Sequence, residues 1–352
     1  MSQFRGRYQK PPTAETALQA VDKPTVIWYQ SGQEPGAMQL AGQLGWLEQE
    51  FSPDAISCCA LQVAGAMSGY ATFGQGELTA VLQQQASDWQ QGLPGRFLLG
   101  LIPSRRRWHL LLAPDKSGCS EAELGQMRFA VLTEPITAVV TDLPMQGWAT
   151  EQLLAGLQAC PALQSVSIAA TELRNGLLYQ RLMASDIDAV LLDQSQLQQL
   201  QHSAAAVAAT LSDYELGPHQ LALQLGSPCT VDSLFWRRYP QLVLRFLSRV
   251  LDTEDWAVRH LAASADYLAL TSAGRAELQL SQSLGLPFQQ LTALDSYKNY
   301  LFRQGRLTND FALADWIEAL PLQILRTEGG RQQVKTNRSR QPQLLQAIAT
   351  LW

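Results

Sequence analysis

The feature that most constrains this chain is an alternation of short β-rich runs and helical stretches that begins once near the N-terminus and begins again in the middle. Its first unit is residues 25–48, TVIWYQSGQEPGAMQLAGQLGWLE. A β-rich run, Thr25-Val26-Ile27-Trp28-Tyr29, passes through a polar loop at residues 30–36. Beyond the loop, Met38, Leu40, Ala41, Leu44 and Leu47 recur at helical spacing. That spacing predicts an amphipathic helix, and its small Gly and Ala residues predict close packing on a sheet. A helix that starts after a strand and a loop turns orphan N–H groups and the positive end of its dipole toward the loop, which suits an anionic group.

Residues 53–61 read as a second strand carrying the adjacent Cys58 and Cys59, and AGAMSGYATFGQG at residues 64–76 is a glycine-rich entry to a helix that begins at Glu77. Residues 97–103 and 108–113 are further strands, with His109 inside the second as a satisfied structural histidine. After Gly118 the alternation restarts. Strands are expected at residues 129–132, 166–169 and 219–225 and a turn plus strand at 185–192, with helices at 151–157 and 173–184. A long helical region then runs from Ser233, with Leu242, Val243, Phe246, Leu247, Val250 and Leu251 on one face. Trp256 and His260, four apart, read as a packing aromatic and a satisfied histidine rather than a site. Another amphipathic helix is expected at residues 291–302 and a short one near Asp315, before a polar tail from Glu328. The fold class is α/β, with a mainly parallel sheet in the first third and a separate α/β lobe in the middle.

Composition excludes several classes. The 352 residues are 46% hydrophobic, enough for a substantial core, and a formal net charge of -5 gives no global attraction to nucleic acid. The run Arg105-Arg106-Arg107 reads as a solvated strand entry. No stretch approaches the roughly 20 apolar residues of a membrane helix, so no membrane insertion is expected. The N-terminus lacks an apolar leader core, so the sequence as written is expected to be cytoplasmic, or periplasmic if a leader has been removed. Five cysteines, an odd number, do not form a disulfide framework. Neither a metal nor a cofactor is expected, because no His or further Cys stands at ligand spacing near the cysteine pair and no G-x-G-x-x-G or Walker A sequence occurs.

Taken together, TVIWYQ, LGWLEQEF, DIDAVLL, YPQLVLRFLSRVLDTEDWAVRH and YKNYLFRQGRLTNDFALADWI resemble the solute-binding proteins of the nitrate, sulfonate and taurine type, including the thiamine-precursor binders. The resemblance implies a two-lobed, type II periplasmic-binding-protein-like fold with a ligand cleft and hinge closure. Residues 25–105 plus 227–326 would form one lobe, residues 106–226 the other, residues 1–24 an N-terminal arm and residues 327–352 a C-terminal tail. Within the family the YQSGQEP and YATFGQGE segments are most like the aryl-sulfinate desulfinase branch. That branch carries a cysteine nucleophile, an arginine and a histidine where this chain has Gly32, Thr72 and Gln62. Neither a thiolate nor a cationic anchor stands at those positions.

The expected function is therefore binding of a small organic or anionic solute, with no catalytic residue assigned. Ser31, Gly32, Gln33 and Glu34 would form one wall of the cleft, Tyr70, Thr72 and Gln75 a second, and Thr133, Glu134 and Thr137 the opposing lobe, with Asp193 closing the far end. Each is equally placed to cap a neighbouring helix. The partners would be a small-molecule ligand and, for an exported protein, an ABC permease. The alternative is a desulfinase-like or other enzyme on the same fold, with Glu34 or Glu134 as base and Tyr70 as acid. A third reading is a cytoplasmic regulator that reports its ligand to a partner.

Overall fold

The computed structural model describes residues 24–31, 36–61, 69–102, 106–133, 143–159, 165–203, 212–268, 284–327 and 329–336. Its strands are β1 (Val26–Gln30), β2 (Ser57–Ala60), β3 (Phe73–Gln75), β4 (Arg96–Ile102), β5 (Trp108–Leu112), β6 (Phe129–Thr133), β7 (Ser165–Ala169), β8 (Ala189–Asp193), β9 (Ser212–Tyr214) and β10 (Ser227–Asp232). They form two five-stranded sheets, ordered β2-β1-β3-β10-β4 and β7-β6-β8-β5-β9. In the first sheet β1 pairs parallel with β2 and β3, while β10 runs antiparallel between β3 and β4. The second repeats the plan, with β6 parallel to β7 and β8, and β5 antiparallel between β8 and β9. Each sheet thus receives its antiparallel strand just after the chain has crossed from the other. Gly226 marks the return crossing. A Cβ there would come 2.7 Å from the Ile102 carbonyl oxygen, so only glycine allows the connection to lie this close to the end of β4.

The helices follow from the patterns that predict them. Ala37–Gln43 lies on β1 so closely that a side chain at Gly42 would collide with the Tyr29 hydroxyl. Along Pro240–Arg259 the expected apolar face is buried, and Phe246 stacks on Phe73 at 3.8 Å between ring centroids. The same helix anchors a charged network. Arg245 Nε donates to Glu50 Oε1 at 2.8 Å, Arg249 Nε to Glu50 Oε2 at 2.7 Å, and Arg245 Nη1 to Asp54 at 2.6 Å. Each sheet has its own apolar core, around Ile27, Phe51 and Phe246 in the first and Ile168, Leu178 and Val190 in the second. A third cluster joins them through Leu98 and Leu101 of β4, Leu110 and Leu112 of β5, Trp148 and Tyr297. Tyr297 belongs to Phe288–Arg303, which packs across Leu143–Gly156, with Trp148 Nε1 donating to Ser296 Oγ at 3.2 Å.

Three expectations differ from the structure. Residues 219–225 are not a strand. His219–Ala222 is a helix that follows the Gly217 turn, and Leu223 and Leu225 enter the joining core; the strand is β10, a few residues later. The helix expected at 173–184 is two, Ala170–Arg174 and Leu177–Met183, separated by Gly176 at φ 77°, a left-handed conformation that suits glycine. Within the polar C-terminal stretch, Gly330–Thr336 is a helix whose Val334 reaches the first core. The Trp256 and His260 rings stack on one another, with centroids 4.8 Å apart and 16° between planes, and His260 Nδ1 lies 3.0 Å from the Trp256 carbonyl oxygen.

Candidate functional site

Ligands of open α/β sheets gather at the carboxyl ends of the parallel strands. In the first sheet those ends carry Gln30 and Ser31 after β1, and Gln75 at the end of β3. In the second they carry Thr133 and Asp193. Because β5 runs antiparallel to β8, with Trp108 paired to Asp193, it brings Arg106 and Trp108 to that same end.

Just beyond β3, Glu77 caps the helix Leu78–Gln90, its carboxylate accepting from the N–H groups of Thr79 at 3.0 Å and Ala80 at 2.8 Å. The Thr79 hydroxyl lies 2.7 Å from that of Tyr297. Burial pushes the Tyr297 phenol well up, the Glu77 carboxylate adds to this, and the Thr79 hydrogen bond and the Arg106 charge oppose it. Asp193 divides its carboxylate. Oδ1 accepts from Ser195 Oγ at 2.8 Å and Gln196 N–H at 2.9 Å, capping the helix Gln194–Ser203, while Oδ2 faces Arg106 Nη1 at 3.3 Å. The Arg106 guanidinium also lies 5.9 Å from the centroid of the Trp108 ring.

The expected site residues are not all at this end. Ser31, Gln75, Thr133 and Asp193 are; the Thr133 hydroxyl donates to the Ile168 carbonyl at 3.2 Å, and Gln75 is buried. Tyr70 and Thr72 precede β3 and so lie at its amino end. Thr72 is sealed in the sheet, its N–H on the Trp28 carbonyl at 2.8 Å and its own carbonyl accepting from Asp232 N–H at 2.9 Å and Arg96 Nη2 at 3.1 Å. Tyr70 is 52% exposed. Gly32, Gln33, Glu34, Glu134 and Thr137 lie outside the described residues, as does Gln62.

Sequence reasoning missed Glu77, Arg106 and Tyr297. Arg106, expected to be solvated, is in fact only 20% exposed and paired with Asp193, whereas Arg107 is exposed. Its one sequence signal is its place between two strand patterns, where the chain must cross. Arg96 was missed as well. It is buried beneath the sheet, donates to the carbonyls of Ala71 at 2.5 Å and Thr72, and is lowered by burial to about 10.

His109 is satisfied as expected, with Nδ1 3.0 Å from Asp213 and Nε2 2.9 Å from Gln194. Cys58 and Cys59 lie half-buried on the edge strand β2, and burial followed by the Glu48 carboxylate pushes both thiols up, which disfavours a thiolate nucleophile. Among the described residues no group of His, Cys, Asp and Glu could hold a metal ion, and no helix is long and apolar enough to cross a membrane.

No protein-family model and no curated protein matches the sequence. Solved structures do match. The desulfurization enzyme DSZB is 19% identical with a TM-score of 0.54, over 85% of this chain and 98% of the enzyme. The periplasmic aliphatic sulphonate binding protein SsuA from Escherichia coli is 12% identical with a TM-score of 0.54, over 84% and 92%. A putative periplasmic sulfonate-binding SsuA from Methylobacillus flagellatus is 12% identical with a TM-score of 0.62, over 88% and 96%. The chain has the type II periplasmic-binding-protein-like fold. At these identities the likeness shows the fold alone.

Proposed function

We propose that this protein binds a small organic or anionic solute in a cleft between two lobes, residues 25–105 with 227–326 and residues 106–226, and closes over it by hinge motion. The observation that supports this reading is that polar side chains stand at the strand ends of both sheets, Glu77 capping the helix that follows β3 and Arg106 paired with Asp193 at the end of β8. Ser31, Gln75, Thr133 and Asp193 are the expected wall residues consistent with this position. Gly32, Gln33, Glu34, Glu134 and Thr137 follow β1 and β6 in sequence and complete the proposal. Binding is favoured over desulfination because Gly32 stands where the resembling enzymes have their nucleophile, and because Cys58 and Cys59 are held as thiols. If the protein is exported, the related SsuA structures make an ABC permease the proposed partner.

A thermal-shift panel of nitrate, sulfonates, sulfinates, pyrimidines and aromatic acids tests the reading. A ligand at 100 times its dissociation constant adds about 2.7 kcal/mol of stability. The expected result is a saturable shift that Gln75→Ala weakens. Consumption of the ligand, or saturable binding unchanged in every variant at the strand ends, would overturn it.

A further inference from the structure

An open cavity of about 320 Å³ lies between the short helix Trp46–Phe51 and the C-terminal half of Pro240–Arg259. Its volume is at the lower end of the range for small-molecule sites. Along the long helix its lining recurs every three or four residues, at Arg249, Asp252, Trp256 and Arg259, which is one face. None of Ser31, Gln75, Thr133 and Asp193 lines it, so it is separate from the strand-end site.

Two indoles form its corner. Trp46 and Trp256 are half-buried, with ring centroids 5.9 Å apart and planes at 70°. His260 stacks on Trp256 at 4.8 Å and Tyr267 meets it edge-on at 6.4 Å, so neighbours hold the ring in place. A ring fixed in advance loses little freedom on receiving a ligand, and the negative face of an indole attracts polarised C–H groups.

The rest of the lining is polar, with its charges already balanced. Arg249 Nε donates to Glu50 Oε2 at 2.7 Å, and its Nη1 lies 3.5 Å from Asp252 Oδ2. The Asp255 carboxylate pairs with Arg331, and the Asp255 carbonyl accepts from Arg259 Nε at 2.9 Å. From the short helix Gln49 adds an amide that both donates and accepts. An anion entering here meets Asp252 and Asp255, and a cation meets Arg249 and Arg259, so each faces like charge. A hydroxyl does not. It donates to a carboxylate and accepts from a guanidinium or amide N–H at once, and these groups have more hydrogen-bonding positions than one ion pair occupies.

We propose that this cavity is a second binding site, for a neutral polyhydroxylated ligand of the sugar class. The C–H face of the ligand lies on the Trp46–Trp256 corner, and its hydroxyls reach Gln49, Asp252, Asp255 and Arg259. The site does not depend on the cleft reading above, and either can fail without the other.

The test is saturation-transfer difference NMR of the full chain with methyl glucoside, methyl galactoside and cellobiose, and with glucuronate and glucosamine as charged counterparts. Wild type is expected to transfer saturation to the ring C–H protons of at least one neutral sugar, in a saturable way, and to bind it about three-fold or more tighter than both charged sugars. Trp46→Ala and Arg259→Ala should each weaken that binding about five-fold or more, while Gln75→Ala at the strand ends leaves it unchanged. Arg259 is exposed, so its variant still decides if Trp46→Ala does not fold. Absence of binding by every neutral sugar, equal or tighter binding of a charged one, or binding that survives both Trp46→Ala and Arg259→Ala overturns the site. Binding lost in Gln75→Ala and kept in the other two also overturns it, and would assign the sugar to the cleft.

Discussion

The hydroxyls of Thr79 and Tyr297 lie 2.7 Å apart in a fully buried contact that joins the second residue of one helix to the middle of another more than two hundred positions away. Through Tyr297, the capped helix Leu78–Gln90 beside the first sheet is tied to Phe288–Arg303, and through Trp148 that helix is tied to the second sheet. The contact is therefore a joint between the two halves of the molecule.

This joint predicts a measurable coupling. Tyr297→Phe keeps the ring in its packed site and removes only the hydroxyl, at an expected cost of about 1 to 2 kcal/mol. In a double-mutant cycle with Thr79→Val, followed by urea unfolding, the coupling should be about 1 kcal/mol. Strictly additive losses would show that the two hydroxyls do not act on one another.

Glu50 predicts acid sensitivity. Burial pushes its carboxyl up, but the hydrogen bonds and charges of Arg245 and Arg249 outweigh this and leave it below its ordinary 4.5. A depressed carboxylate contributes stability that is present above its unfolded value and lost as pH falls through its folded one. Glu50→Gln should cost about 3 kcal/mol at pH 7, since it removes the carboxylate that two arginines share and leaves them only the carboxylates of Asp54 and Asp252, and the difference from wild type should shrink as pH falls below 4.5. Urea midpoints measured from pH 3 to 7 check both statements.

Glu254 predicts the opposite slope. Burial raises its carboxyl from 4.5 to about 7, Asp255 adds to the rise, and the N–H of Leu284, 3.0 Å from Oε1, works against it. Stability from a raised carboxyl is fully present below 4.5 and is lost as pH rises through about 7. The full shift corresponds to about 3 kcal/mol, and water at this half-buried side chain reduces the expected effect to about 1 to 2 kcal/mol. Glu254→Gln should therefore flatten the decline in urea midpoint between pH 5 and 7 and gain on wild type at pH 8.

The thiols predict chemical silence. Cys229 is fully buried and raised to about 12, and Cys58 is raised further. With iodoacetamide at pH 8 the folded protein should label both far more slowly than the urea-unfolded chain does. Cys58→Ser and Cys59→Ser should bind any cleft ligand with unchanged affinity; a ten-fold loss in either would reopen a thiol role.

Much of the fold was legible because its periodicities are local. The face of Pro240–Arg259 and the run that becomes β1 are written in adjacent residues. β10 was not, since it opens Ser-Pro-Cys while the neighbouring Leu221, Leu223 and Leu225 alternate more cleanly. The site was legible as loops and illegible as directions. β3 is three residues hidden in a glycine-rich stretch, and only its start at Phe73 reveals that Tyr70 and Thr72 precede the strand and Gln75 ends it. Arg106 could not be read because its partner is 87 positions away.

The return of β10 to the first sheet also sets an order of assembly. Every strand of the second sheet lies within residues 108–214, so that sheet can form from one uninterrupted stretch as the chain emerges. The first cannot, because among the described strands β4 pairs with β10, its further bridges are to Gly285 and Ile317, and its fully buried Leu98, Leu99 and Leu101 must wait for partners made after the whole second sheet. During synthesis β4 is thus an apolar edge awaiting closure, and it is there that a nascent chain of this design is most exposed to mispairing.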